Sequence, residues 1–120
     1  MSRCANYCAT KAALHSFAWT LRSQLCHHPN TSGKIRIVEI VPPAVKTELH
    51  SRQPDLVAAG QAEFGMDLDD FTNEAWAGLV ADEDEIIVGP IRDRLHAVED
   101  AKRAGFEHFD KMMRESSNKA

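Results

Sequence analysis

With 120 residues the chain has room for one domain at most. Its 43% apolar content is ordinary for a globular protein, and 14 basic residues dispersed among 18 acids, net −4, leave no basic patch dense enough to bind nucleic acid. No apolar stretch is long enough to span a bilayer and no signal peptide is visible, so the expectation is a soluble, cytoplasmic protein without a membrane partner.

The first predicted element is a single helix from Ala5 to about His27, ended by Pro29, Asn30 and Gly33. Ala5, Ala9, Ala12 or Ala13, and Ser16 form a stripe of small residues that lets another backbone come close, while Leu14, Phe17, Leu21 and Leu25 add bulk beside it. Tyr7 and Lys11 are four apart, which places a phenol and an ammonium on one face. A free tyrosine titrates near ~10, and a cation beside it favours the phenolate. Such a pair can donate and accept the proton of a carbonyl/alcohol interconversion. The same spacing also suits a half-buried tyrosine beside a solvated lysine. Cys4, Cys8 and Cys26 make an odd count and are expected as reduced thiols. Together with His27 and His28 they form no recognised ligand spacing, so no metal is expected.

Lys34 to Val41, a nearly continuous β-branched run between Gly33 and Pro42, reads as a buried strand of a parallel sheet. Pro42 and Pro43 end it sharply. Val45 and Thr47 follow just past the carboxyl end of the strand, where open α/β sheets bind ligands. From Glu48 to about Met66 the pattern is irregular, interrupted by Pro54, Gly60 and Gly65. A short helix is expected from Thr72, capped by Thr72 or Asn73, with Trp76 packing it onto the sheet. Glu85 to Pro90 reads as a short final strand, parallel to the first. Ile91, Leu95, Val98, Ala101, Phe106, Phe109 and Met113 then recur at helical spacing, with Ser116 to Ala120 frayed. The acidic runs Asp67–Asp70 and Asp82–Glu85 are expected on solvated helix ends.

Tyr7-x-x-x-Lys11 followed by Ala12, Ala13 and Leu14, then a strand and the block Pro42 to Leu49, resembles the short-chain dehydrogenase/reductase family. The block is similar to that family's loop after its sixth strand, with Pro43 where the family usually has glycine. The double proline with Thr47, Glu48 and Leu49 behind it is most similar to the DltE-like oxidoreductase subgroup. The resemblance implies an α/β fold, the C-terminal part of a Rossmann-type doubly wound parallel sheet with long helices and two short strands. It implies an oxidoreductase using NAD or NADP on a small-molecule carbonyl or alcohol substrate. Tyr7 would be the general acid and base, and Lys11 would tune it and hold the nicotinamide ribose. Pro42, Val45 and Thr47 would hold the nicotinamide end of the cofactor. The 48–66 segment would be a substrate loop, with His50, Arg52 and Phe64 as candidate contacts, although residues of these types in such a loop more often play solvated or loop-packing roles. The helix 5–27 would form a homodimer interface.

The six glycines, at 33, 60, 65, 78, 89 and 105, form no phosphate-binding turn after a first strand. The family's catalytic serine is missing as well, since Ser2 is too close to Tyr7 to replace it. Residues 1–120 are therefore expected to be a partial domain lacking the N-terminal dinucleotide-binding half, with no useful dinucleotide affinity of its own. The alternative is a non-catalytic remnant that at most pairs with another subunit through helix 5–27.

Overall fold

Ala5–His27 forms α1, a 23-residue helix with the predicted bounds. Behind it, turn hydrogen bonds through residues 28–35 reverse the chain, with Thr31 Oγ1 donating to the Leu25 carbonyl at 2.8 Å. The structure, a computed structural model, describes residues 5–117. It comprises two units, Met1–Glu39 and Ile40–Ala120. Ser2 and Cys4, named above, lie outside the described residues.

Within the first unit, Arg22 Nε donates to the Ile37 carbonyl at 3.2 Å, tying the chain that approaches the sheet back onto α1. His15 Nδ1 lies 2.9 Å from Glu39 Oε2, and the His15 and Trp19 rings meet at 4.7 Å between centroids. Of the α1 side chains only Ala18 is buried. The small-residue stripe and the bulky Leu14 and Phe17 both face outward.

The second unit is built on two short parallel strands, β1 (Glu39–Val41, its first residue closing the first unit) and β2 (Glu85–Ile87). The ladder continues past β2 through Val88 N–H to the Val41 carbonyl at 3.1 Å. The strand expected over 34–41 thus shrinks to three residues and is not buried: Ile35 and Ile40 are exposed. A strand extends only as far as it finds a ladder partner, and β2 is itself three residues long. β2 meets the expectation of a buried strand instead, with Ile86, Ile87 and Val88 each only 1% exposed.

Between the strands lie α2 (Glu48–Ser51), α3 (Pro54–Ala58) and α4 (Leu68–Val80). α2 and α3 are two short turns of helix in the segment expected to be irregular. Pro54 opens α3, where its missing N–H goes unneeded. α4 starts four residues before the predicted Thr72, capped by Asp67 in extended conformation. Thr72 Oγ1 cannot cap because it donates back to the Leu68 carbonyl at 2.8 Å, mid-helix. Asp69 and Asp70 then sit in the first turn, where the helix dipole favours them.

Trp76 does not pack α4 on the sheet; it is 66% exposed. Ala75 and Gly78 are the buried residues of that helix. A glycine on the contact face lets the helix backbone come close to Ile86, and a large ring there would hold it away. At the end of α4, Asp82 takes the left-handed conformation (φ 65°), with Glu83 N–H bonded to the Gly78 carbonyl and Asp82 N–H to that of Leu79. This closes the helix and turns the chain directly into β2.

α5 (Arg92–Ser117) packs on β2 and runs beyond the predicted fraying point at Ser116. Its apolar stripe is only partly covered: Leu95 and Phe106 are half-buried, whereas Val98, Phe109 and Met113 are exposed. Glu85 corrects the expectation of a solvated acidic run. Its side chain is 2% exposed and pairs with Arg103 of α5 at 2.7 Å. Arg92 holds Glu83 through both carboxylate oxygens at 3.1 Å, so the start and middle of α5 are each fixed by an ion pair.

Candidate functional site

The residues picked out by the sequence fall into two groups, one in each unit. In the first, the 3.6-residue repeat of α1 brings Tyr7 and Lys11 together, with Lys11 Nζ 5.6 Å from the centre of the Tyr7 ring. The ammonium lies over the aromatic face, a cation–π arrangement. Tyr7 is 57% exposed. A shallow apolar groove lined by Thr10, Lys11, Ala13, Leu14 and Phe17 runs along the same helix. Thr10 is not available there as a donor, since its hydroxyl binds the Asn6 carbonyl one turn back.

The second group is the exit loop of β1. Pro42 is exposed, whereas Pro43, Ala44 and Val45 are half-buried. Val45 forms a parallel bridge with Met66, closed by Met66 N–H to the Ala44 carbonyl and Lys46 N–H to the Met66 carbonyl, both 2.8 Å. Gly65 makes that approach possible: at φ 130° a Cβ there would lie 2.6 Å from the Ala44 carbonyl oxygen. Thr47 is extended and caps α2, its Oγ1 accepting from Leu49 N–H at 3.3 Å. The hydroxyl spends one lone pair on the cap, which leaves its proton unused by that contact.

The bridge brackets the 48–64 segment, which carries the three candidate substrate contacts. His50 is half-buried, with a buried Nδ1 that has no partner among the described residues. Arg52 pairs with Glu48 one turn earlier. Phe64 is exposed. Lys46 lies 3.7 Å from the Asp67 carboxylate, linking the loop to the start of α4.

Cys8 and Cys26 are free and exposed. His27 Nδ1 bonds the Ser23 carbonyl and His28 Nδ1 accepts from Asn30 N–H, so both histidines serve the end of α1. Sequence reasoning missed the carboxylate of Glu74, which accepts from Gly89 N–H at 3.1 Å and so reaches the exit of β2. Its signal was present as a Gly-Pro pair after an apolar run with an acid on the preceding helix, but the pairing itself is tertiary. The Glu85–Arg103 pair was missed because an acid at the end of an acidic run reads as solvated.

The chain is 34% identical over 112 residues, 93% of its length, to "Uncharacterized oxidoreductase DltE" of Bacillus subtilis (strain 168). It spans 40% of the length of that relative. The similarity to DltE-like oxidoreductases read from Tyr7, Lys11 and the 42–49 block is thereby borne out. No family model matches the chain, and no solved structure matches it.

Proposed function

We propose that the chain is part of an oxidoreductase that moves a hydride between NAD or NADP and a small carbonyl or alcohol. The observation that carries this reading is the stacking of Lys11 on Tyr7 along one exposed helix face, and the similarity to an oxidoreductase supports it. When bound, the nicotinamide supplies or accepts the hydride. Tyr7 donates its phenolic proton to the substrate oxygen in reduction and takes it back in oxidation. Lys11 holds positive charge over the Tyr7 ring and would reach the nicotinamide ribose. The 42–47 loop would hold the nicotinamide end, with the Thr47 hydroxyl as donor and Val45 as an apolar wall. The donor set fits that end of the cofactor only, because the glycines form no amide-lined turn for a pyrophosphate.

A longer protein supplying that turn and a serine upstream of Tyr7 should therefore reduce carbonyls, and this chain alone should not. Helix α1, with its outward small stripe, would pair two copies. The test is steady-state kinetics on the longer protein with NADH and NADPH. Tyr7→Phe should remove most turnover while leaving cofactor affinity nearly intact, because the lost group carries a proton and not the ligand. Undiminished turnover in Tyr7→Phe would refute the mechanism. The absence of carbonyl reduction by an active-looking longer protein would leave the non-catalytic reading in its place.

A further inference from the structure

The exits of the two strands run side by side, and their contact is unusually specific. Val88 N–H bonds the Val41 carbonyl, so Gly89 and the Pro42–Pro43 pair leave the ladder together. Gly89 sits at φ 97°, a region in which only glycine rests without strain. A Cβ built there would lie 3.0 Å from Cγ and 3.3 Å from Cβ of Pro43. The proline ring thus occupies the space that a side chain at 89 would need. The Gly89 N–H donates at 3.1 Å to the Glu74 carboxylate, which reaches across from α4.

We infer that Glu74 and Gly89 are positioning residues for the β1 exit loop. The carboxylate fixes the turn at Gly89, the bare Cα of Gly89 seats the Pro43 ring, and the seated ring sets the path of the 44–47 backbone. That path places Val45 and Thr47, so the functional consequence rests on the cofactor reading given above. Pro43 restricts φ at its own position, but its ψ, on which the path of residues 44–47 depends, is left free by the ring. Packing of the ring against Gly89 limits it. The Val45–Met66 bridge then holds the far side of the loop.

Hydrogen exchange on the 120-residue chain tests this through the Lys46 and Met66 amides, which close that bridge. Gly89→Ala should speed exchange at both by about tenfold, and in a Pro43→Gly background the acceleration should be smaller by a factor of about three or more; the left-handed strain is common to both backgrounds and cancels in this ratio. Glu74→Ala should give a similar acceleration, and Glu74→Gln, which keeps an acceptor oxygen, should restore the native rate. The Ala81 amide, which donates to the Ala77 carbonyl at the C-cap of α4, should stay unchanged in the Glu74 variants. A Gly89→Ala effect independent of residue 43, acceleration that includes Ala81 in the Glu74 variants, or no acceleration at Lys46 and Met66 overturns the proposal. In the longer protein, Glu74→Ala should weaken binding of whichever of NADH and NADPH the native protein binds, and Glu74→Gln should not. Coupling between 43 and 89 with neither NADH nor NADPH bound there would refute the cofactor reading and leave the positioning of the loop standing.

Discussion

Gly78 lies so close to Ile86 that a Cβ on it would fall 2.7 Å from Cγ2 and 2.9 Å from Cγ1 of that side chain. Ile86 is 1% exposed and cannot swing away. The interval between α4 and β2 is therefore set by the absence of one carbon.

Gly78→Ala should destabilise the chain by about 1–3 kcal/mol through overpacking, outweighing the roughly 1 kcal/mol that alanine gains in helix propensity. Gly105→Ala is the matched control, since nothing lies within 4 Å of its Cβ on α5. It should stabilise by ~0.5–1 kcal/mol. Urea denaturation midpoints decide between them, and a shift of the same sign in both variants would refute the packing argument.

Arg103→Met should cost about 3 kcal/mol, because it leaves the Glu85 carboxylate without its α5 partner in a nearly dry setting. Added salt should rescue little of that loss, since screening acts mainly on exposed charges. The exposed Lys111–Glu115 pair at 3.9 Å is the contrast, and Lys111→Met should change stability by less than about 0.5 kcal/mol. Equal effects at the two sites would mean that Glu85 is not tied to Arg103 in solution.

How far these features could be read in advance varies with how local their causes are. α1 was legible because the residues that end it and its apolar and small positions are consecutive chain properties. The strands were legible as places but not as lengths, since Lys34 to Val38 had to find a ladder partner and did not. α4 misled at both of its chosen residues. Thr72 has the right side chain for a cap but spends it on Leu68, and Trp76 has the right bulk for a core but sits on the outer face. Tyr7 and Lys11 were legible as a pair because one helix makes them neighbours. Glu74 was not, because its partner at Gly89 comes from another element.

Thr47→Val should expose the cost of losing a cap, about 1 kcal/mol confined to the four-residue α2. Exchange at the Leu49 amide should speed up accordingly, whereas Thr47→Ser should leave it near the native rate. In the longer protein the same valine variant should weaken cofactor binding. Unchanged Leu49 exchange in Thr47→Val would show that the 3.3 Å contact does not hold the helix start.

Phe17→Glu places a charge in the apolar groove on α1, where Phe17 is 58% exposed in the single chain. Sedimentation equilibrium should show a dimer for the native chain and a monomer for the variant, with the helical circular dichroism unchanged. A native chain that stays monomeric at high micromolar concentration would count against pairing through this helix.

The link from Val88 to Val41 also carries a kinetic meaning. α4 and β2 are neighbours in sequence, joined by one tight turn at Asp82, so their contact forms at little cost in chain entropy. β1 can reach β2 only after the whole 42–84 stretch has closed on itself, a non-local step that slows folding. We predict that the transition state is built on the α4–β2 hairpin-like unit and that β1 docks after it. Substitutions at Ala75 should then slow folding, and substitutions at Val41 should mainly speed unfolding. The strand that bears the candidate cofactor loop would be the last part of the sheet to arrive and the first to leave.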